Sequence, residues 1–261
     1  MKISGWTLIK IYTFLVYIFM FAPIVVVMVL AFNPEQFGSF PMTGFSVKWF
    51  VKLAQNEAII NAFKNSLILG SLTAVTATTI GILAAMAFVR YDFPGKNTIN
   101  TLLLAPIMIP EVVLGVALLI FIRWLQQPKS FLLLLIGHVV LTLPYVLLIV
   151  QARLGGIKKS YEEAAQTLGA SPFRTFIEVT LPLLMPAILA GMLFSFTISF
   201  DDITATLFWA TAEQQTVPVK IFGMLRNSVS PEINALGTVM IVLTVATPLL
   251  AGFLVRKLSR N

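Results

Sequence analysis

Three carboxylates stand where a carboxylate is costly. Glu111, Asp201 and Asp202 fall within, or at the outer part of, long apolar runs that hold no lysine or arginine. An ionisable side chain inside a bilayer costs at least about 2.5–3.5 kcal/mol on insertion scales, so each needs a chemical reason to be there. A path lined by uncompensated negative charge attracts a cation. Phe200, Trp209 and Tyr145 offer π faces that suit an alkyl-ammonium group. Plainer uses stand beside these: Glu111 can pair with a partner's helix, either aspartate can bond backbone freed near a helix end, and the rings also suit packing or an interfacial belt. Other chemistry is excluded by what is missing. There is no cysteine, so no disulfide and no thiolate site, and the single histidine, His138, cannot build a multi-histidine metal centre. No G-x-S-x-G nucleophile turn occurs. Asp201 and Asp202 are neighbours that point about 100° apart on a helix, which does not bring them to one shared proton as an aspartyl dyad requires.

The elements that must position these residues are membrane helices. The chain has 261 residues, 58% of them hydrophobic and 11% charged, with a mean hydropathy of +0.92. Soluble domains carry roughly 25% charged residues. A spanning helix needs about 20 mostly apolar residues, and such runs fall at 11–32, 66–89, 99–122, 131–150, 186–208 and 235–255. The first is too long for a signal h-region and lacks a small-x-small cleavage site, so it reads as a retained helix. Pro106 and Pro110 interrupt the third run just before Glu111, which predicts a kinked or unwound helix; such breaks are tolerated in lipid where they line a cavity or pack on protein. His138 falls in the fourth run and reads as a hydrogen-bonded structural residue.

A net charge of +7 invites a nucleic-acid reading, but the charges lie between the apolar runs, as membrane topology requires. One side holds Lys2, Lys10, Arg90, Lys96, Arg153, Lys158, Lys159, Arg174, Arg256, Lys257 and Arg260. The other holds Lys48, Lys52, Lys64, Arg123, Lys129, Lys220 and Arg226. The first set is larger and closer to helix ends, which places both termini in the cytoplasm. Residues 33–65 are then external, with Ser46–Leu53 an amphipathic interfacial helix anchored by Trp49. Residues 209–234 are external too, with a short helical stretch at Pro218–Leu225.

The segment 151–185 is the longest inner one and its local chemistry is specific. Ser160 and Glu163 stand at capping-box spacing and predict a helix start. Ala164, Ala165, Gln166, Thr167 and Leu168 continue it, and Gly169 sits where a left-handed cap would end it. Ser171 is a good N-cap and Pro172 suits the first helical position, so Phe173–Thr180 predicts a second short helix before Leu181-Pro182 turns the chain to the membrane. Two alanines leave one face open to close approach by another backbone, and Phe173 and Phe176 supply an apolar knob. Such a surface suits a partner protein; a stable helical hairpin without a partner is the plainer alternative.

Glu163-Ala164-Ala165, then Gly169, then Val179, Leu181 and Pro182 stand at the spacing of the EAA loop of binding-protein-dependent ABC transporter permeases, which this chain resembles. The family usually has isoleucine where this chain has Val179. Asn65-Ser66-Leu67 and Ala84 to Lys96, ending Phe93-Pro94-Gly95-Lys96, extend the resemblance over most of the chain. Ala105 to Gly115, Ser199-Phe200-Asp201-Asp202 and Pro231 to Leu236 look like the spermidine/putrescine branch. The resemblance implies an all-α integral membrane protein of six transmembrane helices, a single domain over 1–261 like a type I ABC importer permease, with 151–185 as the cytoplasmic coupling loop. It implies that Glu163, Ala164, Ala165, Gly169, Ala170, Ser171, Pro172, Phe173, Leu181 and Pro182 meet the ATPase, with Gly169–Phe173 nearest its cleft. It further implies a second permease subunit, two ATP-binding cassette subunits, an external substrate-binding protein and the bacterial inner membrane, with no nucleic-acid partner. This chain has no G-x-x-x-x-G-K-S/T phosphate loop, so ATP and Mg²⁺ belong to the partner ATPase and no cofactor is expected here. Two rivals remain. The same machinery can carry another small solute, and an ion-driven secondary transporter would share the intramembrane acids and broken helices but gives no reason for an EAA loop.

Overall fold

The computed structural model describes residues 5–35, 41–227 and 231–258, and among these the regular structure is all helical. Lys2 and Arg260, counted above among the inner charges, lie outside the described residues. The helices are α1 (Gly5–Leu30), α2 (Lys48–Gln55), α3 (Glu57–Arg90), α4 (Lys96–Leu104), α5 (Glu111–Trp124) and α6 (Phe131–Gly155), followed by α7 (Ser160–Thr167), α8 (Pro172–Thr175), α9 (Leu181–Asp201), α10 (Thr204–Trp209), α11 (Val217–Asn227) and α12 (Pro231–Leu258). Five stretches are long and apolar enough to cross a membrane: Gly5–Leu30, Glu57–Arg90, Phe131–Gly155, Pro172–Asp201 and Pro231–Leu249. A sixth is the broken pair Lys96–Met108 and Glu111–Trp124, whose axes differ by 113°.

The expected third span is therefore not one helix. A 3-10 turn at Ala105–Met108 ends α4, Ile109 is extended at φ −95, ψ 128, and Pro110 starts α5 at φ −54, ψ 133. Proline lacks the N–H that a continuing helix needs and pushes the residue before it out of the helical region, so Ile109-Pro110 is a forced corner. The break falls where the two prolines predict it, whereas the fifth span is corrected. Its helix ends at Asp201, seven residues before the expected edge at Phe208, and α10 follows as a separate short helix.

Contacts divide the chain into two compact units, Met1–Asn61 with Lys220–Val245 and Ala62–Val219 with Ala246–Asn261. In the first, α2 is amphipathic as expected, but its tryptophan faces protein. Trp49 is buried and its Nε1 donates to the Asn33 carbonyl at 2.7 Å, so the interfacial-anchor reading gives way to a tether. Phe32 stacks on Phe45 at 4.5 Å, and Lys52 pairs with Glu232. No residue of α1 is buried, and Trp6, Tyr12 and Phe19 stand open along it, an apolar surface that hydrocarbon accommodates and water does not.

In the second unit, α6 and α9 pack together around Val146, Leu147, Val150, Leu154, Leu184 and Ile188, with Ala77 and Ala85 of α3 closing the layer. Small residues on α3 let these helices approach, as membrane packing favours. Everything relevant to the site lies in this unit.

Candidate functional site

Two places carry the chemistry: the segment after α6, and a polar chain inside the helix bundle.

The segment after α6 folds as helix, glycine, helix. The capping box is not formed. Ser160 is the first helical residue; the backbone N–H groups of Glu162 and Glu163 bond the Lys159 carbonyl at 3.0 and 3.1 Å, and Tyr161 already bonds Lys158 at 3.2 Å. A turn closed one residue early leaves Ser160 no orphan N–H to cap. Glu163 instead points outward, 3.8 Å from Lys159 Nζ. The glycine cap is present. Gly169 has φ +91, its N–H bonds Gln166 O at 2.9 Å, and the Ala170 N–H bonds Ala165 O at 3.0 Å. These two bonds define a Schellman motif, and they give Ala165 a backbone role inside it. Ser171 caps the next helix by accepting from the Arg174 N–H at 3.3 Å, with Pro172 at its first position.

That second helix does not stop at Leu181-Pro182. A π turn at Phe176–Thr180 joins α8 to α9, so Pro172–Asp201 is one continuous 30-residue helix. The Leu181 N–H bonds Phe176 O, five residues back. The wider turn falls where Pro182 has no N–H to offer, which lets the helix run through a proline that would otherwise break it. The apolar knobs are Leu168, 89% exposed, and Phe173, 76% exposed, on either side of the Gly169 turn; Phe176 is half-buried. Ala164 is exposed and Ala165 half-buried.

Sequence reasoning missed what ties this segment to the membrane helices. Glu162, not Glu163, is buried. Arg90 Nε at the last turn of α3 lies 3.1 Å from Glu162 Oε1 and 3.0 Å from Oε2, and Thr180 Oγ1 donates to Glu162 Oε1 at 3.0 Å. A second Arg90 nitrogen donates to the Ile157 carbonyl at 3.1 Å. The available signal was an arginine closing an apolar run and a doubled glutamate opening the segment.

The polar chain crosses α3, α6, α9 and α10. His138 Nδ1 lies 2.8 Å from Ser199 Oγ, and Ser199 Oγ lies 3.3 Å from Thr73 Oγ1. His138 Nε2 lies 3.0 Å from Thr206 Oγ1, which donates to Asp202 Oδ2 at 2.7 Å. A hydroxyl has one hydrogen to give, so with Thr206 donating to Asp202 the His138 Nε2 supplies the hydrogen in its own contact. Asp202 is 8% exposed and also accepts from the N–H groups of Ala205 and Thr206, which caps α10. His138 is thus the hydrogen-bonded structural residue its isolation predicted. Thr73 and Thr206, not singled out from the sequence, and Ser199, noted there only as part of the Ser199–Asp202 motif, complete the chain.

The expected path residues differ in exposure. Glu111 and Asp201 are exposed, the first at the start of α5 and the second at the end of α9. Asp202 turns inward instead: it follows the last residue of α9 in extended backbone at φ −66, ψ 128, so the exit from the helix, not helical spacing, parts it from Asp201. Trp209 is 1% exposed, and its Nε1 donates to Gly115 O at 2.8 Å. A Cβ at Gly137 would lie 2.3 Å from the Trp209 ring, so only glycine admits this packing. Phe200 is buried and stacks on Phe196 at 5.3 Å. Helix packing encloses both rings. Tyr145 is half-buried, 5.5 Å from the Phe194 ring. Among the described residues no group of His, Cys, Asp and Glu is arranged to hold a metal ion.

A multi-pass helical bundle with a broken span, buried polar links and a capped helix–glycine–helix segment is the architecture of a membrane transport subunit. Residues 77–260 match the family described as binding-protein-dependent transport system inner membrane component, and the chain belongs to that family as a multi-pass inner-membrane protein. It is 36% identical over 246 residues to the spermidine/putrescine transport system permease protein PotC of Haemophilus influenzae, covering 94% of this chain and 95% of that one. It is 33% identical over 231 residues to the putrescine transport system permease protein PotI of Escherichia coli, covering 85% and 82%. Its fold is similar to a chain in the crystal structure of a bacterial ABC transporter involved in the import of the acidic polysaccharide alginate, with a TM-score of 0.77, 17% identity and coverage of 97% and 96%.

Proposed function

We propose that this chain is a membrane-spanning subunit of an ATP-driven importer for a small polycation of the spermidine or putrescine type. The observation that carries the reading is its identity of 36% along 94% of its length to a spermidine/putrescine permease, and the glycine-capped helix–turn–helix segment after α6 supports it. The exposed Leu168 and Phe173 give that segment an apolar tip suited to a cleft on an ATP-hydrolysing partner. Two ATPase subunits, a second permease and an external binding protein complete the complex, with both termini and the docking segment in the cytoplasm. Transport proceeds by alternating access: closure of the ATPase pair pushes the segment, the bundle opens outward to take cargo from the binding protein, and hydrolysis resets it. Glu111 and Asp201 supply negative charge on the cation's route.

The experiment is to purify the complex with its copurifying subunits, reconstitute it in liposomes, and measure ATP hydrolysis and uptake with spermidine and putrescine added with the binding protein. Stimulation of both by either polyamine is the expected result. Uptake that follows a membrane potential and ignores ATP would overturn the importer reading; coupled uptake of a different solute would overturn the cargo alone.

A further inference from the structure

The structure assigns to Glu162 and Arg90 a mechanical role: a charged joint that transmits movement of the docking segment to α3, with Thr180 linking the same carboxylate to α9. This rests on the reading of the segment as an ATPase-driven lever.

Three facts about the joint point this way. Its members come from separate elements. Arg90 closes α3, Ile157 lies in the turn after α6, Glu162 opens α7, and Thr180 ends the π turn that leads into α9. One carboxylate therefore ties α7 to the ends of two spanning helices, and the arginine ties the end of α3 to the exit of α6.

The second fact is what surrounds it. A cavity of about 350 Å³ lies between the end of α3 and the lever, lined by Met86, Arg90, Glu162, Phe176 and Thr180 among others. An apolar interface transmits a push through many small contacts, but a hollow has none to offer. Across this gap the Arg90–Glu162 ion pair and the Thr180 hydroxyl link α7 to the ends of α3 and α9.

The third fact is the electrostatic setting. Arg90 sits at a helix C-terminus and Glu162 in a helix first turn, so each charge is favoured by its own helix as well as by its partner. Both side chains are about nine-tenths buried, at 10% and 11% exposure, so solvent screens the pair little. The guanidinium fork fixes direction as well as distance, which a lysine ammonium would not. Glu163, by contrast, is on the exposed side of the same turn with Lys159 at 3.8 Å, where a partner can reach it, so adjacent glutamates divide the work: one faces the ATPase, the other the membrane helices.

The test uses the whole reconstituted complex and reads ATP hydrolysed per polyamine imported. Glu162→Gln and Arg90→Gln each should raise that ratio, within the about 5–150-fold span of typical coupling energies. Because each leaves a buried charge unpaired, a single variant can also disturb assembly. The double variant Arg90→Gln with Glu162→Gln leaves no such charge, so it should assemble normally and remain uncoupled. If the pair were only structural, removing both charges would restore coupling, and a double variant with the wild-type ratio overturns the joint. As a second measurement, Arg90→Cys with Glu162→Cys in this cysteine-free chain is bridged by a short bifunctional thiol reagent. Bridging should restore coupling lost in the unbridged protein; no restoration at full cross-linking also overturns the joint. A wild-type complex that imports without ATP overturns the importer reading and the joint together, whereas a coupled wild type beside a coupled double variant overturns the joint alone.

Discussion

Gly169 offers a test that separates backbone shape from side-chain size. Its φ of +91 lies in the region that L side chains rarely adopt, and a Cβ built there meets nothing within 4 Å. Any effect of substitution therefore comes from the backbone. Holding a non-glycine residue in the left-handed region costs roughly 1–2 kcal/mol, while asparagine tolerates it better and a β-branched residue tolerates it least. If the substituted residue leaves that region, the bonds Gly169 N–H to Gln166 O and Ala170 N–H to Ala165 O are both lost, and Leu168 and Phe173 no longer project from one tip. A cost of 1–2 kcal/mol lowers the population of the docked shape by a factor of about 5–30. Polyamine uptake per ATP hydrolysed should then fall in the order Gly169→Asn, Gly169→Ala, Gly169→Val, with the asparagine variant nearest wild type. The membrane helices do not share the strain, so the amount of assembled complex should change little. The reasoning fails if the valine and asparagine variants couple equally well at equal assembly.

Further outcomes follow from the bundle interior. Gly137→Ala drives a Cβ into the Trp209 ring, which cannot shift without stretching its bond to Gly115 O. Overpacking at about 1–3 kcal/mol and a strained hydrogen bond at about 0.5–1.5 kcal/mol should lower the thermal midpoint of the purified complex, and Trp209→Leu in the same chain should recover part of it. Glu111→Gln and Asp201→Asn should each reduce polyamine uptake more than they reduce cargo-free ATP hydrolysis, read in parallel from one liposome preparation. Unchanged uptake kinetics in both would remove these carboxylates from the cation's route.

Much of this architecture could be read along the chain because lipid imposes local rules. A run of about 20 apolar residues has few alternatives to a spanning helix, prolines at 106 and 110 must break one, and a glycine after a run of helix formers is a natural left-handed cap. Gly169, Ser171, Pro172 and the corner before Glu111 were each legible for that reason. Motif spacing served equally well, since the EAA resemblance rests on intervals within one segment. What the sequence alone could not place were contacts across long separations: Arg90 with Glu162, His138 with Ser199 and Thr206, and Trp209 against Gly115 and Gly137. Each joins residues at least 61 positions apart, apart from none of the periodicities that reveal a helix face. Two local expectations also yielded to tertiary structure. Ser160 lost its cap because the turn closed one residue early, and Leu181-Pro182 stayed helical because a π turn absorbed the missing N–H. Helices and their ends are thus set by short-range chemistry written in neighbouring residues, while the choice of which glutamate faces inward, and which aromatic ring is sealed, was made only when distant helices met.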